Sequence, residues 1–297
     1  ELEEMKRVVE KTNGCMVWGG TLNLAPADDI FIRVEHPLSI DPLLLPSIMS
    51  KKKAVGATHM VLDIPTGRGT KVKTIGEADL LAKDFMELGR RLDIKVQCAL
   101  TYGEQPIGYT VGPALEAREA LGVLTRKIKV PDLIDKAISI AGILLEMNGK
   151  KNGKEIALGI LHSGKAEKKM REIIEAQGGN PKIELEDIPI GDQKYTIRSG
   201  KNGIILWINN TSLAEIARLA GAPKDKGAGI YLHKKIGDQV KEGEPLLTIY
   251  AERDLKIQRA LDNLEKSDVL GIGKRMDMLI HEVKEFPVGK TAFIIER

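Results

Sequence analysis

The sequence predicts an α/β protein, a mixed and mostly parallel sheet with flanking helices, followed by a separate C-terminal α+β domain. Three observations predict it. From residue 1 to about residue 125, short apolar runs alternate with helix-length amphipathic stretches. The chain has 297 residues, long for one hydrophobic core and comfortable for two. Beyond the breaker Gly178-Gly179-Asn180-Pro181 the composition shifts toward β-branched, alternating residues. The boundary is therefore expected between a domain of residues 1–177 and one of residues 178–297.

Leu2, Met5, Val8 and Val9 give a charged amphipathic helix at the N-terminus rather than a signal peptide. Met16-Val17-Trp18, ending in Gly19-Gly20, and Ile30-Phe31-Ile32 read as short strands. Helical apolar spacing runs from Leu43 to Val55, and Met60 to Ile64 is a buried-strand run. A helix is expected over Glu77–Leu92 and a strand over Val96–Leu100. Strands separated by helices of this length imply parallel pairing, with ligands at the carboxyl ends, where Gly19-Gly20-Thr21 and Pro65 to Thr70 fall. Residues 113–175 look helical: Ala114–Leu124, then a helix over Asp132–Met147 opened by Pro131 and closed by Asn148-Gly149. Trp18 and Trp207 sit in apolar contexts and read as core.

In the second domain, two alternating strands within Gly229–Ile249 flank a G-D-x-V-x-x-G-x-P-L turn. This motif is similar to the barrel-sandwich hybrid of biotinyl and lipoyl domains. Those domains carry a cofactor on a lysine in contexts such as M-K-M or D-K-A, and neither tripeptide occurs here. A carrier-like or assembly module is still a rival reading, and it predicts a modified lysine near Lys241.

Bulk properties exclude several classes. The net charge is only +3, basic and acidic residues alternate, and aromatics are 4%, so no nucleic-acid partner is expected. No apolar run reaches the length of a membrane span, so no membrane partner is expected. Cys15 and Cys98 have no metal-site or disulfide-framework spacing, which suits a reducing cytoplasm. The five histidines show no H-x-x-x-H or H-E-x-x-H spacing.

The candidate chemistry lies in Gly20-Thr21-Leu22-Asn23-Leu24-Ala25-Pro26-Ala27-Asp28, followed by Arg33 and by Ser47-Ile48-Met49-Ser50-Lys51-Lys52. Arg33 offers a planar fork of donors, Lys51 a movable charge, and Ser47 a hydroxyl that donates or accepts. Ser47 and Lys51 stand four apart on an expected helix and share one face. Read from the residues alone, Arg33 is equally at home in a surface salt bridge, and Lys51-Lys52-Lys53 in a solvated charge run. Gly19-Gly20 permits close approach of backbone to a ligand, although tight turns account for most such pairs.

These residues carry a resemblance. The string resembles the G-Q-T-x-N-L-x-P-A-D…R-D…S-I-M-S-K-K signature of the pyrimidine nucleoside and thymidine phosphorylases and of archaeal relatives that phosphorolyse nucleoside 5′-monophosphates. The segment after Arg33, Val34 to Pro42, looks like the archaeal branch. The resemblance implies that Gly20, Arg33, Ser47 and Lys51 bind the substrate's base. It also implies an acid near the glycine turn, where Thr21, Asn23, Asp28 and Asp29 are the candidates. Tyr102–Glu119 resembles the family's D-M-x-Q-P-L-G-x-x-x-G-N-A-L-E-x-x-E segment, which in some bacterial members holds a structural cation. That cation, monovalent or divalent, would map to Ile107, Thr110 and Glu119; Tyr102-Gly103 and Pro113 depart from the pattern.

The resemblance further implies phosphate as co-substrate, no required cofactor, a homo-oligomer (a homodimer) and a cytoplasmic setting. Its phosphate loop, of the form G-K-H-S-x-G-G, does not occur in residues 1–297 and is expected upstream of the Gly20 segment, in a longer protein. The expected reaction is phosphorolysis of AMP to adenine and ribose 1,5-bisphosphate. The alternatives are a thymidine or pyrimidine nucleoside phosphorylase, or a base-binding fragment without turnover.

Overall fold

The computed structural model describes residues 2–17, 25, 26, 28, 30, 44–264 and 267–274. Helix α1 (Leu2–Thr12) buries Val8 and Thr12, and the Gln177 side-chain amide holds Met16 at both its N–H (2.7 Å) and its carbonyl (2.8 Å). Ile30, expected to begin a strand, is helical and 63% exposed. Pro26 and Asp28 are helical as well, as suits a proline and an acid in a first turn. Trp18, the glycine pair and Phe31-Ile32 lie outside the described residues.

Helix α2 (Leu44–Ala54) turns Leu45, Ile48 and the fully buried Met49 onto Met60, Phe85 and Ile94. Strand β1 (His59–Thr66) and strand β2 (Lys95–Tyr102) pair in parallel, His59 against Lys95 through Thr66 against Tyr102. The crossover is helix α3 (Ile75–Arg91), which buries Ala78, Ala82, Phe85 and Gly89. It starts two residues earlier than apolar spacing suggested because Thr74 forms a capping box with Glu77. The Glu77 N–H donates to Thr74 Oγ1 at 3.2 Å, and the Thr74 N–H to Glu77 Oε2 at 3.3 Å.

After β2 the chain makes a two-residue strand β3 (Thr110–Val111) and four helices: α4 (Pro113–Leu124), α5 (Pro131–Met147), α6 (Gly153–His162) and α7 (Lys165–Ala176). Pro113 and Pro131 stand in first turns, where their missing N–H costs nothing. Asn148 caps α5 and Gly149 takes φ +80°, as the sequence suggested.

The remainder is strand β4 (Gln193–Arg198), strand β5 (Gly203–Ile208), helix α8 (Asn210–Ala220), strands β6 (Gly229–Leu232), β7 (Gln239–Val240) and β8 (Pro245–Ala251), helix α9 (Asp254–Leu264) and strand β9 (Leu270–Gly273). One sheet runs β3-β6-β8-β4 and another β7-β5-β9. Their described pairings are antiparallel, so among the described strands the parallel pairing is that of β1 with β2. The two strands flanking the G-D-x-V turn pair with each other, Gly229 against Tyr250 through Leu232 against Leu247. They are buried almost throughout rather than on alternate residues. The reason is position: both are inner strands, and Ile230, Leu232, Leu247 and Ile249 join the core with Ile205, Leu213 and Ile216.

Strand β3 lies N-terminal to the Gly178–Pro181 breaker yet belongs to the later sheet, so the described halves share a sheet across that breaker. Gly112 permits the junction: its φ is +128°, and a Cβ there would stand 2.4 Å from Ala228 O. Among the described residues no helix is long and apolar enough to cross a membrane.

Replacing the Thr74 cap tests the start of α3. Thr74→Ala is expected to lower the unfolding free energy by about 1 kcal/mol, read as a shift of the denaturant midpoint with unchanged slope; an unaltered midpoint would refute it.

Candidate active site

Two of the expected base-binding residues lie on α2. Ser47 and Lys51 stand one turn apart and half-buried, on the side of the helix away from Met49. The Lys51 ammonium is 2.6 Å from Asp28 Oδ2, and the Asp28 side chain is 8% exposed. The approach is a charge contact rather than an aligned hydrogen bond, since Oδ2 accepts none from the described residues. Taking both groups from water is repaid only while each keeps its partner.

The three successive lysines therefore have separate fates. Lys51 pairs with Asp28, Lys53 donates to Leu92 O at 2.7 Å and caps the end of α3, and Lys52 is exposed. Asp28, expected as one candidate acid, stands against the expected base-binding lysine, so it orders that lysine whatever else it does. Gly20, Thr21, Asn23, Asp29 and Arg33 lie outside the described residues.

At the carboxyl end of β1, the turn Gly67 to Thr70 is held from two sides. Glu104 accepts the Arg68 N–H at 3.2 Å, and Thr70 Oγ1 reaches Gly67 O at 2.7 Å. Next to it, Asp63 accepts Thr101 Oγ1 and pairs with Lys136 Nζ, both at 2.6 Å. Beyond β2 opens a cleft of about 510 Å³ whose lining includes Tyr102, Gln105, Ile107, Asp132 and Lys136. None of Asp28, Ser47 or Lys51 lines it.

The segment expected to hold a cation is the loop between β2 and α4. Glu119 is buried and accepts the Tyr109 N–H at 2.9 Å and Thr110 Oγ1 at 3.1 Å. Gly108, at φ +66°, lets the carboxylate close in, because a Cβ there would meet Glu119 Oε2 at 2.0 Å. Burial raises the Glu119 carboxyl above its ordinary value, against the lowering effect of those two hydrogen bonds. Ile107, by contrast, is 42% exposed. A different set of oxygens in the same loop meets the ammonium of Lys235, a residue 7% exposed and two before the G-D-x-V motif. It donates to Gly108 O at 2.5 Å and to Pro106 O, and lies 3.0 Å from Asp132 Oδ2. Sequence reasoning missed Lys235 and Asp132. The one reads as a turn lysine beside Lys234, the other as an ordinary first-turn acid after Pro131. Among the described residues no group of three or more His, Cys, Asp or Glu side chains could hold a metal ion.

Residues 204–270, from β5 into β9, match the family model of the pyrimidine nucleoside phosphorylase C-terminal domain. The chain is similar to the AMP phosphorylase of Thermofilum pendens, 53% identical over 288 residues, which is 96% of this chain and 56% of that protein. It is 58% identical to the AMP phosphorylase of Pyrococcus furiosus over 265 residues, 88% of this chain and 53% of the relative. AMP phosphorylase 1 of Archaeoglobus fulgidus is 52% identical over 264 residues, 88% of this chain and 52% of the relative. The chain thus spans about half the length of the curated relatives it matches.

Two outcomes check this geometry. Lys51→Met strands a buried carboxylate and is expected to cost about 3 kcal/mol of stability, whereas Lys52→Met changes it by less than about 0.5 kcal/mol; equal effects in denaturant titrations would refute the pairing. The raised Glu119 group holds its proton longer in the folded chain than in the unfolded one. Its contribution is thus present below the ordinary value of 4.5 and is lost as pH rises from there through the raised folded-state value. In Glu119→Gln that loss is absent, so the Tm difference between variant and wild type should move in the variant's favour from about pH 4 to about pH 7. A difference that stays constant across that range would rule the assignment out.

Proposed function

We infer that the chain, which belongs to the pyrimidine nucleoside phosphorylase family on the branch of the AMP phosphorylases, acts in the phosphorolysis of nucleoside 5′-monophosphates. The observation that carries this reading is the 53–58% identity to proteins named AMP phosphorylase along 88–96% of the chain. The reaction takes AMP and phosphate to adenine and ribose 1,5-bisphosphate: a phosphate oxygen bonds to C1′ as the bond from C1′ to the base nitrogen breaks. The electron pair of that bond leaves with the base, which takes up a proton.

An enzyme for this step must stabilise charge gathering on the departing base. Lys51 serves as the charged donor, Ser47 as the hydroxyl one turn before it, and Gly20 and Arg33 as the remaining base contacts. Asp28 is a positioning residue in this reading. Its carboxylate fixes the Lys51 ammonium at 2.6 Å, which aims the donor before substrate arrives. The proton to the base then comes from the Thr21, Asn23 and Asp29 neighbourhood. Phosphate is the co-substrate, the setting is cytoplasmic and the working state is a homo-oligomer. The parallel β1–β2 pair is read as part of a larger, mostly parallel sheet, and the β6–β8 pair around the G-D-x-V turn as a barrel-sandwich-like element.

The test is incubation with phosphate and either AMP or thymidine, followed by chromatography of the released base. Adenine release dependent on phosphate is expected, and turnover of thymidine alone would overturn the reading. Lys51→Gln should lower kcat/KM for AMP by about a hundredfold or more, while Lys52→Gln should leave it unchanged.

A further inference from the structure

An ammonium has three protons to give. In Lys235 two go to Pro106 O and Gly108 O, and the charge stands 3.0 Å from Asp132 Oδ2 as its ion-pair partner. The face of the Tyr109 ring, its centroid 5.5 Å from Nζ, adds a fourth, weaker contact. The residue is 7% exposed, so these groups stand in for its whole hydration shell. Carbonyl and carboxylate oxygens converging on a buried positive charge are the donor set of a hard cation site. Here the charge belongs to the chain.

The arm that carries it is fixed before it reaches the loop. The Lys235 N–H donates to Asp238 Oδ2 at 2.7 Å, and the Asp238 N–H returns to Lys235 O at 3.0 Å. The next residue, Ile236, gives its N–H to Gln105 Oε1 at 2.9 Å. Asp132 serves the same loop twice, because its Oδ2 also accepts the Gly108 N–H at 3.1 Å. An inorganic cation on the Pro106 and Gly108 carbonyls would have to share them with this ammonium at contact range, which like charge forbids.

We propose that the Lys235 ammonium is the resident cation of the Pro106–Gly108 carbonyl loop, so that the protein needs no inorganic cation there. The lysine is a positioning residue that locks the loop between β2 and α4 to the G-D-x-V turn. This proposal does not rest on the reaction assigned above.

The test exchanges cations around the chelator-treated wild type and Lys235→Ala at constant ionic strength. The wild-type Tm is expected to be the same in potassium, calcium, ammonium, methylammonium and tetramethylammonium chlorides. Lys235→Ala is expected to melt about 5 to 10 °C lower and to regain at least half of that in ammonium, methylammonium or potassium chloride. The bulky tetramethylammonium ion, which cannot donate or fit, should restore nothing. A wild type that loses stability on chelation and recovers it with potassium or calcium would overturn the proposal. So would a variant that is as stable as wild type, or one that none of the small cations restores. Should Lys235→Ala not fold, the wild-type series decides alone: indifference to the cation supports the proposal and dependence refutes it.

Discussion

The buried Lys235 ammonium, hydrogen-bonded to two carbonyls and paired with the Asp132 carboxylate, is the charged contact around which the described halves join. Strand β2 ends at Tyr102, and eight residues later the chain enters another sheet. Backbone polar groups on such a path must find partners or lose the free energy of their hydration. The partners come mostly from elsewhere in the chain. Asn210 meets Gly103 O, Lys235 meets Pro106 O and Gly108 O, Asp132 meets the Gly108 N–H, and Glu119 the Tyr109 N–H. Leu232 of β6 donates to Tyr109 O at 2.6 Å, which begins the β3–β6 pairing. Remove the ammonium and two carbonyls and a carboxylate converge with nothing between them.

The same principle organises helix α2 on a smaller scale. Asp28 is buried beside Lys51, so neither group is free to seek another partner without stranding the other. Met49 anchors the opposite side of α2 in the core with Phe85 and Ile94. A side chain held by a charge on one side and a packed helix on the other loses little further freedom on meeting a ligand.

What could be read from the sequence was what depends on neighbours close along the chain. The β1–α3–β2 crossover, the helix over residues 131–147 with its Pro131 start and Asn148-Gly149 stop, and the pairing of strands around the G-D-x-V turn all follow local rules. The start of α3 was also written locally, as Thr74 three before Glu77, but apolar spacing alone does not register a cap. Ile30 misled because three apolar residues in a row say nothing of the Pro26 first turn before them. The site divides the same way. Ser47 and Lys51 were legible through helical spacing, whereas the link from Asp28 to Lys51, and from Lys235 to Asp132 across more than a hundred residues, exists only in three dimensions. In the sequence Lys235 is one lysine among many; its burial is what distinguishes it.

The C-terminal half is more than an appendage, because it also touches the end of the sheet where α/β proteins place ligands. Asn209 caps α8 by accepting from the Thr211 and Ser212 N–H groups at 3.1 and 3.2 Å. That leaves the next residue, Asn210, to reach out: its Nδ2 donates to Gly103 O at 2.8 Å, with its Cβ 3.5 Å from where a Gly69 side chain would begin. Its own Oδ1 is buried without a hydrogen bond from the described residues. Turning the amide over would set that oxygen against Gly103 O, acceptor to acceptor, so the bare oxygen is what the bond to Gly103 costs. The Gly67–Thr70 turn is thereby enclosed between Glu104 on one side and α8 on the other. A shift of α8 would disturb the turns that follow both β1 and β2, which couples the C-terminal half to the carboxyl end of that strand pair.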